Sequence, residues 1–330
     1  MKQKEIIVSG MRPTGRLHLG HFFGVLKNWE RLQSAQKCYF FVADWHSLTT
    51  EYANIREIQD WLREMVIDWL SAGISPEKAV LFVQSRVPEH AELHLLFSMI
   101  APLGWLERVP SYKELQQELA GKDLSTYGFL GYPLLQTADV AIYKATQVPV
   151  GQDQVAHIEL AREIVRRFNY LYRKIFPEPA SLLTETPRLP GLDGRKMSKS
   201  YDNAVYLSDP EPEATKKLMN CITDPARIRR QDPGNPDVCT IFSYHKLATD
   251  PAKIGEIDRE CRRAGIGCVD CKKILVSGMN KTLGPFRERR VELAKKPKQV
   301  RDILNAGAEA ARKVAQKTLA EANEAMGLGK

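Results

Sequence analysis

The chain has 330 residues, 43% of them hydrophobic and 27% charged, the balance of a globular protein long enough to bury two cores rather than a disordered one. Its opening apolar run, Ile6, Ile7 and Val8, is too short for a secretory signal, and no apolar stretch reaches membrane-spanning length, so a cytoplasmic location with no membrane partner is expected. The 48 Lys and Arg against 40 Asp and Glu leave a net charge of +8, which suits a polyanionic partner but is also common without one.

In chain order, residues 5–8, 38–43 and 79–84 read as short buried strands separated by amphipathic segments. Between the second and third, Ile58, Trp61, Leu62, Met65, Val66, Trp69 and Leu70 recur at helical spacing up to Gly73, which places both tryptophans in the core. Residues 147–150 predict another strand, followed by a helix through Ile158, Leu160, Ile164, Val165 and Phe168. Such alternation predicts a Rossmann-like α/β fold, a doubly wound parallel sheet whose ligands gather at the carboxyl ends of its strands. Pro177, Pro179, Pro187 and Pro190 then break the pattern, and beyond Asp209 the chain reads as a second, all-helical domain. The last stretch, from about Gln299 to Met326, reads as one long amphipathic helix.

After the first strand comes a turn-rich loop, Ser9 to His21, running into a helix expected from about Phe22. A loop entering a helix N-terminus presents unpaired N–H groups and a positive dipole end, a natural phosphate site, and Gly10 and Gly20 are expected to let a ligand approach the backbone. His18 and His21 bracket Gly20 and can donate hydrogen bonds to phosphoryl oxygens as charge builds up in a transition state. Taken alone, this tetrapeptide is equally a polar helix start. Farther on, Arg195, Lys196 and Lys199 lie in a Gly- and Ser-containing stretch, residues 191–200, whose cations and serines suit closure over a triphosphate and its departing pyrophosphate.

His18-Leu19-Gly20-His21 after a first strand, with Lys196-Met197-Ser198-Lys199-Ser200 before a helical part, resembles the paired motifs of class I aminoacyl-tRNA synthetases. Further runs are similar to bacterial tryptophanyl-tRNA synthetases over essentially the whole chain: residues 82–85 with 88–91, then residues 135–139 with Tyr143, and above all residues 148–160. The resemblance implies ATP with Mg2+, tryptophan and tRNA(Trp) as partners, and a homodimer. It implies that His18, His21, Lys196 and Lys199 are catalytic. It further implies that Arg12, Pro13, Thr14, Gly20, Gly151, Gln152, Asp153 and Leu189, with Met197, Ser198 and Ser200, bind ATP, Gly151 and Asp153 at the ribose.

By the same resemblance, Asp139 accepts the indole N–H, and Val8, His46, Tyr132, Gln136, Val148, Val150 and Gln154 complete the tryptophan site. The chemistry agrees, since indole has one donor and no acceptor, and an acceptor-only carboxylate is its complement. Many members carry methionine where Gln136 stands and glutamine where Arg12 stands, and Gln136 followed by Asp139 resembles tyrosyl-tRNA synthetases, so tyrosine is the alternative substrate. A small-molecule adenylyltransferase and a non-catalytic RNA-binding relative are the rival readings. The resemblance places a catalytic domain over residues 1–190, a junction over 191–205, an anticodon-binding helical domain over 206–295, and a C-terminal helix over 296–330 that packs back on the first.

Four of the six cysteines, Cys239, Cys261, Cys268 and Cys271, are separated by 21, 6 and 2 residues. In a chain without a disulfide framework such spacing suits tetrahedral zinc or an iron-sulfur cluster. A subgroup of bacterial tryptophanyl-tRNA synthetases carries a similar pattern with a first gap one residue longer, so the resemblance implies a [4Fe-4S] cluster, with zinc as the alternative. Arg227, Arg229, Arg230, Arg262, Arg263, Lys272 and Lys273 nearby are expected to form an RNA-binding surface organised by that metal.

Overall fold

The computed structural model describes residues 5–53, 55–109, 124–183, 189–198 and 201–329. Five parallel strands form one sheet in the order β3-β2-β1-β4-β5: β1 (Ile6–Met11), β2 (Lys37–Val42), β3 (Ala79–Val83), β4 (Gln147–Val150) and β5 (Ala180–Leu183). β5 falls inside the proline-rich stretch expected to be irregular. As an edge strand that pairs, among the described residues, with β4 alone, it tolerates prolines close by, because one side of its ladder needs no donors.

Because successive side chains of a strand point to opposite faces, the apolar runs divide cleanly. Ile7, Cys38, Phe40, Val42, Leu81 and Val83 face one core and Val8, Tyr39, Phe41, Phe82, Val148 and Val150 the other. The first face is covered by α1 (Leu19–His21), a π turn (Phe22–Leu26), α2 (Lys27–Leu32) and α4 (Ile55–Ser71), which follows α3 (Asp44–Glu51). Trp69 is fully buried there, edge-on to Trp29, which stacks on Phe40. Trp61, expected in the core, is only half-buried, with its indole N–H toward Glu57. The second face is covered by α5 (Glu89–Ser98), α6 (Leu103–Glu107), α7 (Tyr127–Ala141) and α8 (Val155–Leu171).

The C-terminal part consists of α9 (Glu211–Asn220), α10 (Thr240–Ala248), α11 (Pro251–Arg262), α12 (Cys268–Ala294) and α13 (Pro297–Ala325). Its core runs without interruption into the first face of the sheet, since Tyr244, Leu275, Met279 and Phe286 belong to the same cluster as Ile7 and Phe40. Arg290 of α12 also hydrogen-bonds Asp68 and Glu64 of α4.

Helix α13 packs along β3 and crosses the edge of the sheet. Val300 and Leu304 join the first core, whereas Ala308, Ala311, Ala315 and Leu319 join the second. At the crossing stands Gly307, where an added Cβ would lie 1.8 Å from the carbonyl oxygen of Leu81. Only glycine permits that approach, and the helix thereby shields an edge strand.

Candidate active site

β1 and β4 are neighbours, with Ile7 opposite Gln147, yet the chain leaves them in opposite directions across the sheet. This is the topological switch point at which open α/β sheets bind ligands. The loop after β1 carries His18 to His21, and the loop after β4 carries Gly151, which begins the short 3-10 turn Gln152–Gln154 ahead of α8. The sequence therefore delivers its two candidate nucleotide segments to one crevice.

The helix after β1 begins at Leu19, three residues before the expected start, and its first turn is closed by the histidines themselves. His18 Nδ1 accepts from the Gly20 N–H (3.1 Å), and His21 Nδ1 accepts from the His18 N–H (3.2 Å). With both Nδ1 atoms acting as acceptors, each neutral ring carries its proton on Nε2. Two side-chain donors thus stand beside the N–H groups of a helix start, the combination that recognises phosphate. The glycines answer to protein packing as well as to any ligand. A Cβ at Gly10 would lie 2.5 Å from the Phe41 ring, and one at Gly20 would lie 2.9 Å from the His18 ring.

The second motif sits directly on the first. The Leu19 N–H donates to the Val205 carbonyl (3.0 Å) and the Leu207 N–H to the Leu17 carbonyl (2.8 Å), so the segment just beyond residue 200 is stitched to the histidine loop. Met197 is buried in the first core with its Sδ 3.9 Å from the Cβ position of Gly20, while Lys196 stays exposed. Lys199 and Ser200 lie outside the described residues. Asn203, which the sequence did not single out, braces the loop: Nδ2 donates to Asp193 Oδ1 (2.7 Å) and to the Lys196 carbonyl (3.1 Å), and Oδ1 accepts from the Ser198 N–H (2.9 Å).

Around the crevice, Pro13 is buried and Thr14 exposed. Arg12 is reached by solvent yet surrounded by protein, with Tyr132 and Glu51 in electrostatic reach, and this enclosure lowers its pKa. Gln154, assigned to tryptophan, donates to its neighbour Asp153, assigned to ATP (3.1 Å). Leu189 is half-buried against the first core.

On the second face, Tyr132, Gln136 and Asp139 recur at helical spacing along α7, with Val8, Val148 and Val150 in the adjoining core. Asp139 is 1% exposed and carries a dense set of partners. Oδ2 bonds His46 Nε2 (2.8 Å), and Oδ1 receives both Gln84 Nε2 (2.7 Å) and His90 Nδ1 (2.6 Å). Burial alone would raise its pKa, but the bonds from His46 and His90 outweigh it and hold the carboxyl well below the usual range. Gln84 and His90 lie within runs that carry the family resemblance, but their type alone assigned them no role.

Tyr132 O–H is 2.9 Å from Nε2 of His157, which burial pushes down to about 4 from the ordinary 6.5. His157 is therefore neutral in the folded protein and must take up a proton on unfolding between those values. The unfolded state binds more protons in that window, so stability rises with pH there. The contribution is fully present above about pH 6.5 and falls away toward about pH 4, by about 3 kcal/mol over the whole window. Thermal unfolding of the wild type and of His157→Gln across this range checks it: the variant should show the shallower loss.

The four cysteines gather where α10, α11 and α12 meet. Cys239 precedes α10, Cys261 ends α11, and Cys268 and Cys271 occupy the first turn of α12. Cys271 is pushed up to about 12, first by burial and then by the nearby charges of the other three. Among the described residues, no three Cys, His, Asp or Glu side chains are arranged to hold a single metal ion.

Several of the expected cations also have partners within the protein. Arg227 is buried, donating to the carbonyls of Arg230 and Ile266. Arg262 pairs with Asp237 and Asp258, Arg263 with Glu260, and Lys272 with the Met219 carbonyl.

Among the described residues no helix is long and apolar enough to cross a membrane. The family model described as class I tRNA synthetases (W and Y) matches residues 1–284. A tryptophan–tRNA ligase of Thermotoga maritima is 52% identical over 326 residues, covering 98% of this chain and 99% of the relative. One from Aquifex aeolicus is 46% identical over 392 aligned positions, covering 98% and 99%. The crystal structure of the Campylobacter jejuni tryptophanyl-tRNA synthetase with ADP and tryptophan superposes with a TM-score of 0.88 at 32% identity, covering 98% of this chain and 100% of that one. With both motifs of an ATP-activating crevice in contact and relatives matched end to end, the chain belongs to the class I aminoacyl-tRNA synthetases and, within them, to the bacterial tryptophan–tRNA ligases.

Proposed function

We propose that the crevice at the carboxyl ends of β1 and β4 activates tryptophan and passes it to tRNA(Trp). A carboxylate oxygen of tryptophan attacks the α-phosphorus of ATP, which enters as its magnesium complex. The bond to the bridging oxygen breaks, pyrophosphate leaves with the electron pair, and tryptophanyl-adenylate remains. A hydroxyl of the terminal tRNA ribose then attacks the activated carbonyl, its proton passes to the departing phosphate and AMP leaves, so no protein nucleophile is needed. His18 and His21 donate from Nε2 to the α-phosphate oxygens, Lys196 and Lys199 neutralise pyrophosphate, and Gly151, Gln152 and Asp153 hold the ribose side. Arg12, Pro13, Thr14, Gly20 and Leu189 complete the nucleotide site. Asp139 accepts the indole N–H, with His46, Tyr132, Gln136 and Gln154 around it.

The observation that supports this reading is the backbone pairing of Leu17 and Leu19 with Leu207 and Val205, which joins the segment following the second motif to the histidine loop. Exchange of labelled pyrophosphate into ATP tests it: exchange should require tryptophan and run at least about 100-fold slower with tyrosine. Absence of tryptophan-dependent exchange would overturn it.

The same reading divides the chain at residues 190, 205 and 295, with the helical part meeting the anticodon. It also makes the protein a homodimer, which the exposed Leu95, Met99, Leu103 and Tyr127 on α5 to α7 support.

The donor set of Cys239, Cys261, Cys268 and Cys271 fits a [4Fe-4S] cluster. Cys239, Cys261, Cys268 and Cys271 gather at one helix junction, and Arg227 Nη1 stands 3.8 Å from Cys261 Sγ, a cation that offsets part of the burial that raises that thiol. Tetrahedral zinc would need sulfurs about 3.8 Å apart at a metal–sulfur length of about 2.3 Å, whereas a cubane spreads its ligands more widely. When bound, such a group ties three helices together. Anaerobically purified protein should contain iron and sulfide in equal amounts. Its removal should raise KM for tRNA about tenfold while leaving pyrophosphate exchange intact. Unchanged charging by folded, metal-free protein would reduce the site to a structural one, and zinc in place of iron would reassign it.

A further inference from the structure

The hydrogen bonds around Asp139 have a direction that the proposed activity does not by itself explain. A carboxylate offers about four acceptor positions. Gln84 and His90 take both on Oδ1, and His46 takes one on Oδ2. One position on Oδ2 stays open. Gln84 Oε1 is also buried with no hydrogen-bond partner among the described residues, because its amide must turn Nε2 toward the carboxylate. This buried cluster thus has two unfilled acceptors and no spare N–H, a deficit that points to a ligand donor.

His90 is fully buried with both ring nitrogens engaged: Nδ1 lies 2.6 Å from Asp139 Oδ1 and Nε2 lies 2.7 Å from Tyr143 Oη. The carboxylate can only accept, so His90 Nδ1 carries the proton. In a ring that holds this single proton Nε2 is an acceptor, and Tyr143 donates to it. Tyr143 keeps its proton, since burial and the Asp139 charge both raise its pKa. Its ring stacks on Tyr39 and meets Phe82 edge-on, which fixes the hydroxyl.

We propose that Tyr143 and His90 are positioning residues for amino-acid selection: Tyr143 locks the His90 tautomer, and His90 pins Asp139 Oδ1 so that the open position on Oδ2 faces the indole N–H. This rests on Asp139 being the indole acceptor. The pair touches no substrate and acts only through the carboxylate. His46, on the other oxygen and with the more exposed side chain, is the partner that shares Oδ2 with the ligand.

Pyrophosphate exchange with separately varied tryptophan and ATP tests the relay on the full-length protein. Tyr143→Phe keeps the stacked ring and should raise KM for tryptophan about tenfold, the loss of one hydrogen bond feeding a charged group, with KM for ATP unchanged. His90→Leu should raise it about a hundredfold, and His90→Asn, whose amide places an N–H near the former Nδ1–H, should recover most of the loss. A lowered melting temperature in Tyr143→Phe with an unaltered KM for tryptophan overturns the proposal in favour of a packing role. Asp139→Asn separates the two levels. If it retains the wild-type KM for tryptophan, the acceptor assignment fails and the relay with it. If it loses affinity while Tyr143→Phe does not, the relay alone fails.

Discussion

Asp139→Asn is expected to raise KM for tryptophan by a factor of roughly 100 to 1000, with KM for ATP nearly unchanged. Asparagine keeps one acceptor oxygen but replaces the other with an amide donor. His46, Gln84 and His90 all present N–H groups to this position, so a donor placed among them leaves at least one buried N–H facing another. The ligand indole, itself a donor, adds a further one. Each unmade buried bond costs about 1–3 kcal/mol, and two of them account for the expected factor. Steady-state pyrophosphate exchange at varied tryptophan gives the answer directly. A folded Asp139→Asn enzyme within a few-fold of the wild-type KM would remove Asp139 from the recognition of the side chain.

Much of the fold was legible because the strands are short, apolar and buried on both faces. The runs at residues 5–8, 38–43, 79–84 and 147–150 could not be solvated and the segments between them carried helical periodicity, whereas Ser9 to Met11, read as loop, continue β1 because they pair with β2. β5 was not legible, since an edge strand beside prolines has the composition of a loop. Nor was the path of α13. Its apolar stripe showed that it packs on something, but the crossing from one face of the sheet to the other at Gly307 depends on a backbone contact with Leu81 that no local pattern records.

The site divides in the same way. His18, His21 and the loop around Lys196 carry chemistry in their residue types and spacing, and the family resemblance marked Asp139. Asn203, Gln84, His90, Tyr143 and His157 act by holding other side chains, and partners 10 to 55 positions away are set by the tertiary fold. The clustered cations near the cysteines were legible as residue types, but the partners of Arg262, Arg263 and Lys272 within the protein were not.

His18→Asn should separate the two jobs of that histidine. Nδ1 of His18 caps the helix by accepting from Gly20, and asparagine Oδ1 occupies nearly the same place and is among the best capping acceptors. What asparagine lacks is any atom where Nε2–H projects. The variant should therefore unfold within about 0.5 kcal/mol of the wild type, whereas His18→Ala, losing the cap as well, should lose about 1 kcal/mol. Both should slow tryptophan-dependent pyrophosphate exchange by about 100- to 1000-fold through kcat, the effect of deleting one donor aimed at transition-state charge. KM for ATP should move little, because a donor that strengthens only as charge develops contributes little to ground-state binding. Equal exchange rates for His18→Asn and the wild type would assign His18 to the helix start alone. The phosphate would then be stabilised by His21 and the backbone N–H groups of the first helical turn.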